Sequence, residues 1–284
     1  MLDPDRLPDD RHDLASVLRA LRRAAGLSGE RLAARCTMSQ TKISRIETGR
    51  AVPTVAEVER ILHALGTPPD VAERMLQLAR VANTDFTSLR AYAEAGLWRA
   101  QDAIKALIRS ATLVRQFLPV MPSGLLQTPD YARTVLTPAI PGKVKRDVER
   151  AVAARLSTQD TLSDHDRRFL FLLTENAIRW PVGNPDIMAA ECDRLAQVAE
   201  YPNVELAILP RDAWLPIRPL NYFTIYDDRL VTVELFSGVM THRDPKDITQ
   251  HAGMFDALLD HAVSGEAARE LLSRIRSDFM RQVD

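Results

Sequence analysis

The sequence predicts an α+β protein. An N-terminal all-α domain of five helices precedes a C-terminal domain in which a small mixed β-sheet is covered by helices. Three observations carry this reading. Apolar residues between positions 12 and 82 recur at helical spacings. Twelve of the 17 prolines fall after residue 118, so a loop-rich second domain begins near there. Within it, apolar runs at 168–174 and 204–209 flank a helical pattern, and such a β-α-β unit brings its two strands into parallel pairing.

Length and composition bound the function. A chain of 284 residues is long enough for two domains, each with its own core. Apolar residues at 46% and charged residues at 26% are ordinary for a globular protein. No run of about 18 apolar residues exists, so no membrane span is expected. The acidic opening, MLDPDRLPDDRHD, lacks the apolar stretch of a signal peptide, and the expected location is cytoplasmic. Cys36 and Cys192 are far apart, and each lies in a helical pattern, so both are expected to be buried thiols. No cysteine or histidine spacing suits a metal, and no cofactor is expected.

Taken in order, residues 1–11 are rich in Asp and Pro and read as a mobile arm. Residues 12–82 form the first domain. Its opening helix carries Leu14, Leu18 and Leu21 and stops at Gly26. Ser28 and Ser39 each precede a short amphipathic helix and can cap it. Thr54-Val55-Ala56-Glu57 is a capping box, and Pro68-Pro69-Asp70 starts the fifth helix. Leu89, Tyr92, Leu97, Ala100, Ile104, Leu107, Ile108, Ala111 and Val114 then predict one long helix at 88–117, within a connector spanning 83–118. The region 119–284 is the second domain. Thr128 caps a helix with Pro129 in its first position, and a further helix spans 143–160. Strand 168–174, helix 184–200 and strand 204–209 follow. Residues 222–226 and 231–235 read as a hairpin, and helices near 245–261 and 265–282 close the chain.

The most informative stretch runs from Gly26 to Arg50. Two short helices joined by a tight turn put Leu27, Leu32, Ala33 and Cys36 on one stripe, and Ile43 and Ile46 on the other. The second helix presents Gln40, Thr41, Lys42, Ser44 and Arg45 outward. Those side chains suit base edges and phosphates in a major groove. From Arg19 to Arg50 eight basic residues face two acidic ones, a local +6 within a chain of net charge −1. That is the footprint of a localised DNA contact.

The same residues resemble the Xre (lambda-repressor-like) helix-turn-helix domain. The likeness rests on Gly26-Leu27-Ser28, Leu32-Ala33, Ser39-Gln40, Ile43-Ser44-Arg45-Ile46-Glu47, Gly49-Arg50, Pro53 and Leu62, across residues 12–80. It implies that Gln40, Thr41 and Lys42 contact bases. Ser28, Ser39, Ser44, Arg45 and Arg50 would hold phosphates. Two departures stand out: Gly29 replaces a frequent phosphate-touching Gln, and Thr37 occupies a turn position that is often Gly.

Residues 85–280 resemble the C-terminal domain of a group of actinobacterial Xre-type regulators. The matching pieces include Gly124-Leu125-Leu126-Gln127-Thr128-Pro129-Asp130-Tyr131-Ala132-Arg133, Thr174-Glu175-Asn176-Ala177-Ile178, Pro202-Asn203-Val204 and Glu234. Ser123 and Cys192 depart from the group pattern. The resemblance implies a regulator binding a double-stranded DNA operator, whose second domain senses a protein partner or small effector. The alternative reading is an antitoxin-like interaction protein that binds a small neighbouring partner and autoregulates its operon. A homodimer is expected, because one recognition helix covers only a few base pairs.

Nothing points to catalysis. The chain has no nucleophile elbow and no glycine-rich phosphate cradle. The six histidines are scattered, and His242 reads as an exposed loop residue. Glu175 and Glu234, each on or after a strand, are candidates for an effector or partner pocket, against the plainer reading of carboxylates paired with Arg. Trp180 and Trp214 could line that pocket, but core packing is the preferred reading for both.

Overall fold

The computed structural model describes residues 10–88, 96–137 and 147–282. The chain divides into two compact units: Met1–Asp85 with Thr241–Asp247, and Phe86–Met240 with Ile248–Asp284. No helix among the described residues is long and apolar enough to cross a membrane.

The first unit contains α1 (Asp10–Ala24), α2 (Gly29–Arg35), α3 (Gln40–Glu47), α4 (Val55–Ala64) and α5 (Pro69–Ala82). Residues 1–9 of the expected arm lie outside the described residues, and α1 already includes Asp10 and Arg11. Helix starts follow the local chemistry. The Ser28 hydroxyl accepts from the Arg31 amide and the Ser39 hydroxyl from the Lys42 amide, both at 3.2 Å. At α4 the box closes in both directions, at 3.2 Å from the Glu57 amide to Thr54 Oγ1 and 3.1 Å from the Thr54 amide to Glu57 Oε2. The helices share one core, with Leu14, Leu18, Leu32, Ile43, Ile46, Val58, Ile61 and Leu62 all buried. Thr37, in the turn between α2 and α3, has φ +54°, where a β-branched side chain is strained.

The strands form a mixed eight-stranded sheet in the order β1-β7-β6-β5-β2-β3-β4-β8. They are β1 (Thr84–Ser88), β2 (Leu113–Leu118), β3 (Arg168–Thr174), β4 (Val204–Leu209), β5 (Phe223–Tyr226), β6 (Leu230–Leu235), β7 (Gly238–His242) and β8 (Val263–Ser264). Strand β3 runs parallel to both β2 and β4, while β5 runs antiparallel to β2 and β6 to β5. The helices of the second unit are α6 (Leu97–Arg109), α7 (Pro129–Leu136), α8 (Val148–Gln159), α9 (Glu175–Arg179), α10 (Pro185–Val198), α11 (Pro245–Leu259, from Ile248 on) and α12 (Gly265–Met280). Phe169, Phe171 and Leu173 pack into one core with Leu195, Leu272 and Ile275. Leu172, Phe223, Ile225 and Val231 pack with Phe255 and Leu258 into another. The central strands are thus apolar on both faces, as parallel strands covered on two sides must be.

The expected long helix at 88–117 and the connector helix at 83–118 are corrected. Residues 84–88 are strand, Leu97–Arg109 is helix, and Leu113–Leu118 is a central strand. Residues 89–95 lie outside the described residues. Ala111 and Val114 happen to continue the helical spacing of Ile104, Leu107 and Ile108. The chain nevertheless turns at Ser110, and Asp227 Oδ1 takes the amides of Thr112 and Leu113 at 2.9 and 2.8 Å. The 143–160 helix is observed from Val148 to Gln159, and residues 143–146 lie outside the described residues.

Thr37→Gly relieves the left-handed turn and should raise unfolding stability by about 1 kcal/mol in a denaturant titration. Glu191 is 1% exposed, and burial pushes its carboxyl up to about 7. Folded protein therefore keeps this proton over a range in which the unfolded chain has lost it. Stability should fall as pH rises from about 4.5 to about 7, by on the order of 2–3 kcal/mol. Glu191→Gln should flatten that slope, and an unchanged slope in the variant would assign the titration elsewhere.

Candidate nucleic-acid interface

Helix α3 is anchored by Ile43 and Ile46, each 1% exposed, and this fixes which side faces outward. Gln40, Thr41, Lys42, Ser44 and Arg45 are all exposed on the other side, with Ser28, Ser39 and Arg50 exposed nearby in the chain. The Arg50 amide donates to the Arg45 carbonyl at 2.8 Å, so the turn after α3 holds the two cationic residues in one fixed local geometry.

Two ion pairs set the pose of the helix. Arg22, near the end of α1, donates from Nε to Glu47 Oε1 at 2.6 Å and from Nη2 to Glu47 Oε2 at 2.8 Å. Its Nη1 donates to the Leu27 carbonyl at 2.7 Å. The side chains are only 14% and 9% exposed, so a two-toothed contact is made largely out of water. At the other end of α3, the Lys42 ammonium pairs with Glu57, the same carboxylate that caps α4. In the sequence Arg22 is one charge among eight, and Glu47 belongs to the Ile43–Glu47 motif. Their partnership joins residues 25 apart, and no local pattern reveals it.

With Arg22 paired internally, the remaining cations stand out. Arg19, Arg23, Arg31, Arg35, Arg45 and Arg50 are exposed and form no ion pair with a described residue. Arg19 and Arg23 line a surface hollow of about 640 Å³, together with Thr48 at the end of α3. Chemically, this surface offers amide and hydroxyl groups at its centre and guanidinium groups around them.

The four residues proposed for a second-domain pocket are not brought together as a set. Glu175 is 4% exposed, accepting from Arg179 Nε at 2.5 Å and from the Arg211 amide at 3.0 Å. It lines a hollow of about 740 Å³ with Arg179, Arg211 and Asp278; Trp180, Trp214 and Glu234 are not among the lining residues. Core packing of the tryptophans is corrected as well. Trp180 caps the short helix α9 and is 71% exposed, while Trp214 sits in a loop at 77%, its ring edge-on to His261. His242 is half-buried at the end of β7, with Nδ1 3.5 Å from Asp247 Oδ2, rather than in an exposed loop. Both cysteines are buried free thiols. Among the described residues no group of three or more His, Cys, Asp or Glu could hold a metal.

This arrangement defines a helix-turn-helix domain, and residues 13–75 match the family model described as "Helix-turn-helix domain". Residues 101–274, more than half of the chain, match "Domain of unknown function (DUF5753)", and the chain belongs to that family. The comparison with curated proteins gave no match. Among solved structures, a hypothetical transcription factor NHTF from Neisseria is 32% identical, with 26% of this chain and 86% of that one covered, at a TM-score of 0.22. NucT from Helicobacter pylori is 12% identical, with coverages of 64% and 98% and a TM-score of 0.38. Nuc from Salmonella typhimurium, a phospholipase D family member, is also 12% identical, with coverages of 58% and 90% and a TM-score of 0.35. At such scores these likenesses carry no argument about fold or activity.

Removing one partner of the Arg22–Glu47 pair leaves the other charge nearly buried. Arg22→Met should cost about 2–4 kcal/mol in unfolding stability. The double variant with Glu47→Met should recover much of that loss, and strict additivity of the two single losses would show that the contact contributes no coupling.

Proposed function

We propose that this protein is a sequence-specific DNA-binding transcriptional regulator, active as a homodimer, whose second unit senses a small effector or a protein partner. The observation that carries the proposal is helix α3, held at both ends by ion pairs and exposing an unbroken polar and cationic face. In this reading α3 enters the major groove, with Gln40, Thr41 and Lys42 at base edges. Lys42 can serve DNA while paired, because an ammonium has three donors and Glu57 occupies only part of that capacity. Ser28, Ser39, Ser44, Arg45 and Arg50 hold phosphates, and Arg19 and Arg23 extend the cationic rim. Two such helices in a two-fold dimer would read half-sites about 34–36 Å apart. No step calls for a cofactor, and no catalytic role is assigned. The second reading, an interaction protein with a small partner, has in its favour the exposed Trp180, Trp214, Leu220 and Phe236 of the second unit.

The base and phosphate assignments are separable by experiment. Arg45→Ala should weaken binding to operator and random duplex alike, and lower the salt dependence. Gln40→Ala and Thr41→Ala should instead lose discrimination, by about 1–3 kcal/mol for each bidentate base contact removed. Equal losses on both DNAs in all three variants would sink the assignment.

A further inference from the structure

One polar cluster of the second unit borders the larger hydrophobic core, against which the Tyr222 ring packs. It lies on the sheet face where β2, β5 and β6 adjoin, near Arg155 of α8. The Gln116 amide nitrogen of β2 donates to the Tyr222 hydroxyl and to Thr224 Oγ1, both at 3.1 Å. Tyr222, just before β5, also accepts the Glu234 amide through its carbonyl at 2.9 Å, which sets it opposite Glu234 of β6. Side chains directly opposite in an antiparallel pair project to the same face.

Arg155 is delivered to this place by the Gly124–Gln127 segment. A Cβ on Gly124 would come within 3.1–3.2 Å of the Arg155 Nε and Cδ, so glycine leaves the space the arginine occupies. Gln127 Oε1 accepts from Arg155 Nη1 at 2.7 Å, and Gln101 Oε1 accepts from its Nε at 3.4 Å. Gln127 is itself held, its Nε2 donating to the Pro122 carbonyl at 2.8 Å. Two neutral amides thus orient a densely surrounded guanidinium that makes no ion pair with a described residue.

Glu234 is its counterpart. Protein atoms crowd its carboxyl, yet the residue keeps solvent-exposed surface. Glu234 and Arg155 feel each other's charge but do not touch, and burial pushes the Glu234 carboxyl up to about 7. Gln116, only 3% exposed, keeps an amide oxygen with no partner. Exchanging its nitrogen and oxygen would orphan the nitrogen instead, so one end of this amide is unpartnered either way. A half-buried guanidinium and a nearby carboxylate that do not touch each leave hydrogen-bonding capacity for a ligand that carries both charges.

We infer that this cluster binds a small zwitterion of the amino-acid class, its carboxylate on Arg155 and its ammonium on Glu234 beside the Tyr222 hydroxyl. The inference deepens the effector reading above and rests on it only for the consequence at DNA, not for the binding itself. Arg155 offers the fork that carboxylates match, and an ammonium supplies the proton donors that Glu234 accepts.

The test is isothermal titration of the full-length protein with each free L-amino acid, followed by the N-acetyl and C-amide forms of any that bind. At least one should bind saturably, and blocking either of its charges should abolish binding. Arg155→Met and Glu234→Gln should each weaken it by about 10- to 100-fold, the size of one lost charge-assisted hydrogen bond. Tyr222→Phe, which removes only a hydroxyl, guards against misfolding of the charge variants and should weaken binding by about 2- to 10-fold. The groups facing Glu234 are Arg155, cationic throughout, and Tyr222, whose hydroxyl is pushed up by burial and stays protonated. Affinity should therefore rise as pH passes upward through about 7. Binding by none of the amino acids, or binding unchanged in both charge variants, would overturn the inference. Binding that leaves operator occupancy unaltered would keep the site and remove the effector reading alone.

Discussion

The pose of the reading helix depends on one guanidinium. Arg22 reaches from α1 to the carboxylate of Glu47 on α3 and to the carbonyl of Leu27 before α2, so three segments meet at one nearly buried cation. Lys42 and Glu57 repeat the arrangement at the other end, tying α3 to the capped start of α4. Apolar contacts from Ile43 and Ile46 drive α3 onto the core, but they do not fix its rotation or slide. The two ion pairs do. A helix restrained this way needs little ordering on binding, which keeps the cost of recognition low.

The first unit was largely legible because its signals are local. Caps at Ser28, Ser39 and Thr54, the stop at Gly26 and a stripe repeating every three or four residues all act within one turn of helix. The second unit was legible where a strand is buried on both faces, as at 168–174 and 204–209. It failed where periods coincide. Val114 lies at helical spacing from Ile108 and Ala111, yet pairing with Phe169 on one side and Tyr226 on the other makes it a strand residue. Short edge strands such as Val263–Ser264 carry almost no pattern of their own. Trp180 and Trp214 were misread because large aromatic area is usually buried, and nothing in their neighbourhood announces the exposed loops that hold them.

The pairs on which the two proposals lean were the least legible. Arg22 with Glu47, and Arg155 with Glu234, are brought near one another only by tertiary structure. What could be seen was their support: the Gly124-Leu125-Leu126-Gln127-Thr128 stretch stood out in the sequence. The structure assigns it a physical task, seating Arg155 beside Gly124 and bonding it to Gln127. The next residue, Thr128, starts α7 by accepting the Tyr131 amide, while its own amide goes to the buried Glu191. One short segment thus orders a cationic side chain and a helix at once.

The central claim is that α3 reads a particular DNA sequence. The most direct measurement is binding of the purified protein to the duplex upstream of its own coding region and to a scrambled duplex of equal length, at two salt concentrations. The account predicts preference for the upstream duplex at both, with affinity for each falling as salt rises because phosphate neutralisation releases counterions. Equal affinity for the two duplexes at both salts would contradict it.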